Sequence, residues 1–379
     1  MIARLLRQLQ QFDWILLLAI LILFAFGLSA IYSVELSRES SNFIFLKKHL
    51  IAFGIGFIAL MLMANANYLQ LRNFGRIIYI LGILLLVGVL FFGTNIRGTT
   101  GWFSVAGFSF QPVEFVKIAL AIELARYFGE HARRKFGWRE IFGSGLLTAV
   151  PVFLTILQPD YGSASLLVGM WFVIIFFAGV RWRHMAVLGS VMIAATVIAW
   201  MFVLQDYQKD RIDVFFNPDL DPLVTGYNIT QARIAIGSGQ LFGRGLGFGS
   251  QSQLKFLPEA QTDFVFAVIA EELGFFGLLV VFIAIGVVLW RILLTAYLAR
   301  DHFSSFLAIG IFGIIFIQAT VNIGVNLAML PTTGVTLPYI SYGGSSLIMF
   351  LLMIGVVQSI AVRLRPGDKF DPTWYNQGV

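Results

Sequence analysis

The sequence contains no cysteine, which excludes disulfide frameworks, thiolate metal sites and cysteine nucleophiles. Charged residues are also scarce: they make up 12% of the chain, whereas a soluble globular protein has about a quarter. The four histidines are scattered, and none has the spacing of an H-E-x-x-H metal site. These shortages argue against a metal centre and a water-soluble core, and they favour a chain that folds in a bilayer.

Apolar residues are abundant instead: they make up 58% of the chain and include 38 phenylalanines. A transmembrane helix needs about 20 predominantly apolar residues. Such runs lie near 14–33, 46–64, 77–92, 113–128, 142–157, 163–180, 184–204, 264–298, 303–329 and 345–362. The eighth run is too long for one span, so we expect it to hold a short helix before the true one. The sequence predicts an all-α polytopic membrane bundle of about ten helices, in a single domain over residues 1–379.

Lysine and arginine are distributed unevenly between the loops, and cytoplasmic loops carry the excess of both. One set of loops, counted from a cytoplasmic N-terminus, contains Arg72, Arg76, Arg126, Arg133, Arg134, Lys135, Arg139, Arg181, Arg183, Arg300, Arg363, Arg365 and Lys369. The opposite loops have fewer, with Lys47 and Lys48 as mild exceptions. We therefore expect both termini to be cytoplasmic. The net charge of +6 indicates topology and contact with anionic membrane lipids, not nucleic-acid binding.

Two segments on the predicted outer side differ from ordinary short loops. Residues 205–262, between the seventh and eighth helices, form a far longer connection than is usual. This large loop keeps apolar residues at Ile229, Ala232, Ile234 and Ile236, so part of it is predicted to be a helix along the membrane surface. Residues 93–111 mix aromatic residues with glycines and are predicted to form an interfacial or re-entrant hairpin.

Charged residues inside a membrane helix are costly, so each is a candidate for function. The fourth run begins with Glu114 and Lys117, which are three residues apart and share one helix face. One interpretation is an ion pair that neutralises both charges near the helix end. The other is a pair that lines a cavity for an anionic headgroup, with Lys117 facing phosphate. We favour the second slightly, because the pair lies next to the aromatic and glycine-rich hairpin.

A carboxylate stands where the long loop enters the eighth run. Asp263 follows the segment 257–262 and precedes an apolar helix. It could be an N-cap that satisfies free backbone amides. It could instead be a partly desolvated acid with a raised pKa, suited to act as a general base. Glu271 and Glu272, farther along the same run, are either supporting acids or polar groups that face a water-filled cavity.

The glycine-rich stretch 237–249 lacks the neighbours of a nucleotide-binding loop. No strand precedes it and no Gly-Lys-Ser/Thr follows it, so the dinucleotide fingerprint and the P-loop both fail. It could be a flexible hinge or a nest of amides for pyrophosphate. Asp219 and Asp221 have the Asp-x-Asp spacing of nucleotide-sugar transferases, but they lie beside prolines and favour a turn.

Residues 331–346 contain prolines and several glycines and cannot form a regular helix. Irregular backbone near membrane depth is tolerated only against protein or a wet cavity. The sequence therefore predicts a cavity between this segment, Asp263 and the fourth helix.

Together these motifs resemble the SEDS family (shape, elongation, division and sporulation proteins) over nearly the whole chain. The most specific parts are residues 326–346, 256–264 and 271–274. Residues 111–117 and 158–162 also match. Any one of these motifs alone would be weak, and their combination is strong.

The resemblance implies a peptidoglycan glycosyltransferase that joins lipid II units into glycan strands on the outer face of the bacterial plasma (inner) membrane. Such enzymes work with a class B penicillin-binding protein, which cross-links the peptides. The residue that matches the family's catalytic aspartate is Asp263. Residues 221–239 are more similar to the elongation and cell-shape branch of the family than to its division branch.

The reaction implied is an inverting transfer, in which Asp263 deprotonates an acceptor hydroxyl and the donor strand loses polyprenyl pyrophosphate. The expected substrate-binding residues are Glu114, Lys117, Arg97, Asp160, Arg211, Arg233, Lys255 and Ser341. Basic side chains among them would offset the charge of the leaving pyrophosphate. A divalent cation, Mg or Mn, could share that task, although the sequence shows no dedicated all-carboxylate cage for it.

This chain departs from the family pattern at two positions. The family often has arginine directly before Trp102, where this chain has Gly101, and Arg97 could substitute for it. Val113 stands where serine is usual. Both differences concern how the donor is bound, and neither affects the resemblance as a whole.

Two other functions stay open at this point: a lipid II flippase and a non-enzymatic scaffold of the wall-building complex. A flippase needs a path to the inner face, and few charges lie on the inner halves of the helices. A scaffold would not require a Glu114–Lys117 pair or an Asp263 at the rim of a cavity.

Overall fold

The computed structural model describes residues 11–37, 42–96, 98–105, 108–132, 136–202, 209, 213–215 and 225–364. Its first helices are α1 (Trp14–Leu36), α2 (Ile44–Asn65), α3 (Tyr68–Phe92), α4 (Pro112–His131), α5 (Trp138–Ile156), α6 (Tyr161–Phe177) and α7 (Trp182–Phe202). The later ones are α8 (Thr225–Ser238), α9 (Ser250–Gln253), α10 (Val265–Leu298), α11 (His302–Asn326) and α12 (Gly344–Ala361). Three strands, β1 (Thr94–Ile96), β2 (Thr99–Val105) and β3 (Phe108–Phe110), precede α4.

Among the residues that the structure describes, eight helices are long and apolar enough to cross a bilayer: α1, α2, α3, α5, α7, α10, α11 and α12. Helix α6 is apolar but shorter, with 17 residues. Helix α4 carries several charged side chains along its length. The prediction of a polytopic helical membrane bundle is confirmed, while the count of ten spans stays a prediction.

Helix α4 lies at the centre of the bundle, in contact with α3, α5, α6, α11 and α12. Most of its residues are buried, including Glu114 and Lys117. A charged helix is unstable against lipid, because hydrocarbon cannot solvate its side chains. Neighbouring helices surround α4 and make its charges tolerable, so this charged helix is an interior one.

The predicted hairpin at 93–111 is a small antiparallel sheet with strand order β1-β2-β3. Trp102 of β2 lies opposite Thr94, and Phe103 lies opposite Phe110 of β3. The sheet packs against α3, α4 and α12. It therefore adds a short β element to a fold predicted as all-α, at the end of the bundle where α4 begins.

Helix α10 is broken at Gly274, where φ is 65° and ψ is −162°. The long eighth run thus contains a short helix before the longer one, as its length predicted. A break leaves the carbonyls of the first part and the amides of the second part without partners in the helix. Their hydrogen bonds must come from elsewhere in the chain.

The glycine-rich loop supplies those bonds. The amide of Arg244 donates to the carbonyl of Glu271 at 3.0 Å. The amide of Gly245 donates to the carbonyl of Glu272 at 2.9 Å. Beyond the break, Phe275 N donates to Gln240 O at 2.9 Å and Phe276 N to Leu241 O at 3.2 Å. The amides of Arg244 and Gly245 are therefore used within the fold, while the interpretation of the whole stretch as a hinge or a pyrophosphate nest stays a prediction.

The side chains of Glu271 and Glu272 hold the same loop. The Glu271 carboxylate accepts from Gln251 N at 2.8 Å and from Ser252 N at 3.1 Å, at the start of α9. The Glu272 carboxylate accepts from the hydroxyls of Ser33 and Ser252. Both acids are buried and bonded, so they fasten the loop to α1 and α10.

Part of the long connection is helical, as its apolar residues predicted. In α8, Ile229, Ala232 and Ala235 are buried, and the helix packs against α10. Its exposed side includes Arg233 and Ile234. Helix α8 therefore covers the broken helix with its apolar side.

Candidate functional site

Asp263 lies directly before α10, on a backbone that two amides hold. Its carbonyl oxygen accepts from Asn322 Nδ2 at 3.0 Å and from Asn326 Nδ2 at 2.8 Å. Both asparagines belong to α11 and are buried. The Asp263 side chain is partly exposed and faces Gly334, where an added Cβ would lie 4.0 Å from Asp263 Oδ2. The backbone that carries this carboxylate is thus held in place by two side chains of α11.

The structure does not support Asp263 as an N-cap. The N-cap residue of α10 is Phe264, and its side chain makes no capping hydrogen bond. The turn before it is closed by Glu259, whose carbonyl accepts from the amides of Thr262 and Phe264. The first capping position of α10 is therefore held by Phe264, and Asp263 lies one residue before it.

Residues 327–343, between α11 and α12, have no regular helix, as predicted. Two hydrogen bonds tie this segment to the Asp263 turn. The Ser341 hydroxyl donates to the carbonyl of Thr262 at 2.6 Å, and the amide of Tyr342 donates to the carbonyl of Gln261 at 2.8 Å. Ser341 also accepts from Leu337 N at 2.8 Å. The Ser341 hydroxyl therefore stabilises the site, since it both donates and accepts a hydrogen bond within the fold.

The Glu114–Lys117 pair is closed inside the bundle. Lys117 Nζ donates to Glu114 Oε1 at 2.9 Å and to Gln318 Oε1 at 2.8 Å, and it lies 5.7 Å from the centre of the Phe350 ring. Lys117 is 1% exposed and Glu114 is 5% exposed. Glu114 Oε2 is buried with no hydrogen-bond partner among the residues that the structure describes. The pair is an internal ion pair in which one carboxylate oxygen of Glu114 accepts no hydrogen bond from the described residues. A phosphate would reach Lys117 only after the surrounding helices open locally.

Asp160 lies near this pair, at the start of α6. Its carboxylate accepts from Ser163 N at 2.9 Å, from Ser163 Oγ at 2.8 Å and from Gln111 Nε2 at 3.0 Å. Burial raises the pKa of Asp160, while the Ser163 bonds and the charge of Lys117 oppose that rise and Glu114 adds to it. Asp160 is thus the N-cap of α6 and shares the electric field of the buried pair.

The remaining candidates lie farther out or outside the described residues. Arg233 and Lys255 have exposed side chains. Arg97 and Arg211 lie outside the residues that the structure describes. A Cβ at Gly101 would lie 3.2 Å from Gln158 Oε1, so a buried glutamine occupies the space beside this unusual glycine. Within the described ranges, no group of three or more acidic or histidine side chains could hold a metal ion.

Sequence reasoning missed two buried amides, Gln318 and Asn322. Neither is charged, so neither stood out in an apolar run. The spacing of Gln318, Asn322 and Asn326 would have revealed them, because residues four apart lie on the same helix face. All three are at most 1% exposed.

These features define a polytopic helical membrane protein whose polar residues converge on an irregular segment between two buried helices. The chain belongs to the SEDS (FtsW/RodA/SpoVE) family, since the family model described as "Cell cycle protein" matches residues 8–365.

Among its relatives, Stage V sporulation protein E of Bacillus subtilis is 38% identical over 358 residues, which cover 92% of this chain and 96% of the relative. Peptidoglycan glycosyltransferase MrdB of Escherichia coli K12 is 37% identical over 309 residues, covering 81% of this chain and 82% of the relative. A chain of the solved structure "Structural coordination of polymerization and crosslinking by a peptidoglycan synthase complex" matches with a TM-score of 0.78 and 30% identity, covering 92% of this chain and 97% of that one.

Proposed function

We propose that this protein polymerises lipid II into peptidoglycan strands, with Asp263 as the catalytic base. The observation that carries the proposal is the Asp263 carboxylate itself. It is partly exposed, it lies one residue before the N-cap of its helix, and its backbone is held by two buried asparagines. The name of the MrdB relative, peptidoglycan glycosyltransferase, supports the same reaction.

In the proposed reaction, Asp263 removes the proton from the acceptor hydroxyl of one lipid-linked sugar. The hydroxyl oxygen forms a bond to the anomeric carbon of the donor strand, and the bond from that carbon to the pyrophosphate oxygen breaks. The anomeric carbon is inverted, polyprenyl pyrophosphate leaves with the bonding pair, and the proton stays on Asp263 until solvent removes it. Arg211, Arg233 and Lys255 are the cations that would offset the charge of the leaving group, and Lys117 would join them after local opening of its ion pair.

The site is proposed to face the outer leaflet, with both termini cytoplasmic. A class B penicillin-binding protein is the proposed partner, because the matching solved structure concerns both polymerisation and cross-linking. We assign the chain to the elongation and cell-shape branch on the loop sequence at 221–239. The relatives include sporulation and glycosyltransferase members at nearly equal identity, so this assignment rests on the loop alone.

The test is lipid II polymerisation by purified wild-type protein and Asp263→Asn, each with and without the penicillin-binding partner. A general base contributes about 100- to 10,000-fold in rate, so we expect the variant to make almost no glycan. Asp301→Asn is the matched control, because Asp301 caps α11 and asparagine caps about as well as aspartate. It should keep the wild-type rate.

The outcome also separates the rival functions. Near-native glycan synthesis by a folded Asp263→Asn protein would remove Asp263 from the mechanism. Wild-type protein that moves lipid II between leaflets without making glycan would support the flippase. Wild-type protein that does neither, but binds the penicillin-binding partner, would support the scaffold.

A further inference from the structure

Three buried amide side chains form a line along one face of α11. Gln318, Asn322 and Asn326 are four residues apart, so their side chains stack along the helix axis. They are 1%, 1% and 0% exposed. Buried amides are stable only when bonded, because an unpaired polar group loses its hydration without compensation.

The first amide joins the buried cation to the irregular segment. Gln318 Oε1 accepts from Lys117 at 2.8 Å. On the other side, Gln318 Nε2 donates to the carbonyl of Thr336 at 3.0 Å and to its hydroxyl at 3.2 Å. The Thr336 hydroxyl also lies 3.3 Å from Ser346 Oγ of α12. One side chain thus contacts Lys117 and the segment that runs beside Asp263.

The second and third amides hold the Asp263 backbone. Asn322 Nδ2 donates to Val335 O at 2.7 Å and to Asp263 O at 3.0 Å. Asn326 Nδ2 donates to Asp263 O at 2.8 Å, and its Oδ1 accepts from Ala267 N at 3.1 Å. Asn326 Nδ2 also donates to Asn322 O at 2.9 Å. The amides therefore connect the segment, the Asp263 turn and the first turn of α10.

We propose that Gln318, Asn322 and Asn326 are positioning residues that hold Lys117 and the Asp263 carboxylate at one fixed separation. None of them needs to touch substrate, and this inference rests on the proposed function of Asp263. Each amide side chain forms hydrogen bonds with groups from two different parts of the chain. Removing one amide therefore allows the parts that it connects to shift relative to each other. A misplacement of about 1 Å at a reacting group can lower a rate about 100-fold, which makes such a brace matter for turnover.

The test uses Asn322→Leu and Gln318→Met, which keep the volume and remove the amide. We expect each to lower kcat for lipid II polymerisation about ten- to a hundred-fold, with KM changed less than about two-fold. The double variant should be no slower than the slower single variant, because residues that act as one unit are not additive. Thr320→Val is the control on the same helix, since Thr320 is exposed and its hydroxyl bonds only its own helix.

A purely structural role predicts something different: a lower melting temperature with a wild-type kcat for the folded fraction. That result, or losses that multiply in the double variant, would overturn the proposal. If Asn322→Leu does not fold, Thr336→Val replaces it, because it removes the hydroxyl end of the Gln318 contact, together with the contact to Ser346, and keeps the carbonyl end. Its smaller loss of kcat should not add to that of Gln318→Met. Wild-type protein that makes no glycan would contradict the proposed function instead, independently of these variants.

Discussion

At the residue scale, the site depends on a glycine beside the proposed base. Gly334 has a φ of 69°, in the left-handed region, and its Cα faces Asp263 Oδ2. Other L-residues adopt this conformation at a cost of about 1–2 kcal/mol. The backbone path past Asp263 is therefore one that glycine permits without strain.

Gly334→Ala should reduce both stability and glycan synthesis. Alanine at a φ of 69° strains the backbone, and we expect the segment beside Asp263 to shift to relieve that strain. A thermal melt and a lipid II assay would show a lower melting temperature and a lower rate. Gly344→Ala should change neither for the worse, because nothing lies within 4 Å of an added Cβ there and alanine favours a helix. Equal behaviour of the two variants would contradict this account of Gly334.

The buried ion pair can be tested without leaving an unpaired charge. Lys117→Ala alone would strand Glu114, which costs about 3–5 kcal/mol, so loss of activity could reflect unfolding. The neutral double variant Lys117→Met with Glu114→Gln should fold, because well-packed neutral residues often replace a buried pair without loss.

We expect the folded double variant to make little or no glycan if Lys117 serves the pyrophosphate. Lys117→Arg should retain more activity than Lys117→Ala, although its planar group is a poor substitute for a point charge. A native polymerisation rate in the double variant would show that the pair is structural only, and would remove Lys117 from the substrate site.

The sequence identified candidate site residues where a charge lies in an apolar run, because burying a charge in a membrane is costly. It did not identify the uncharged polar residues of the site. Asp263 and the Glu114–Lys117 pair stood out because charge in an apolar run is expensive. Whether that pair is exposed to a cavity could not be predicted, since closure depends on Gln318, which is distant in sequence. The bracing role of Ser341 was equally hidden, because its partner, Thr262, lies on another element.

At the scale of elements, the break in α10 could be predicted from the sequence, but the hydrogen bonds that stabilise it could not. The length of the apolar run required two pieces, and the structure places the division at Gly274. The partners of the broken backbone come from the glycine-rich loop, and no local pattern links residues 240–245 to 271–276. Hydrogen bonds between segments that are distant in the sequence cannot be predicted from the periodicity of apolar residues.

Gly274→Ala should destabilise this junction. The added Cβ would lie 2.7 Å from Leu241 O, and the residue would keep a φ of 65°. Overpacking and a left-handed backbone each cost about 1–3 kcal/mol, so we expect a marked fall in melting temperature. Gly286→Ala, later in α10, has nothing within 4 Å of its Cβ and should be neutral or slightly stabilising. An unchanged melt for Gly274→Ala would mean that the loop can move away.

At the scale of the whole molecule, the two ends of the described chain are fastened together. Asp13 caps α1, pairs with Arg291 of α10 at 2.7 Å and exchanges two hydrogen bonds with Gln358 of α12. The first and last helices thus meet at one end of the bundle. The cytoplasmic placement of both termini stays a prediction.

Reporter fusions test that placement. Fusions after Phe136 and after Gly378 should be cytoplasmic, and a fusion near Asp221 should be external, because lysine and arginine are concentrated in the loops on the first side. The measurement compares, at each position, the activity of a reporter that works only in the cytoplasm with that of one that works only in the periplasm. An external C-terminus would contradict an even number of spans.

The break at Gly274 also affects how the protein enters the membrane. Residues 265–273 form a helix about 14 Å long, which cannot cross a hydrocarbon core of about 30 Å. The backbone groups that complete it belong to residues 240–245, which are synthesised first and are therefore ready when the break emerges from the ribosome. We therefore expect this helix to insert into the membrane at the same time as the loop docks against it. Changes in the loop should therefore lower the yield of inserted protein before they lower the activity of each inserted molecule.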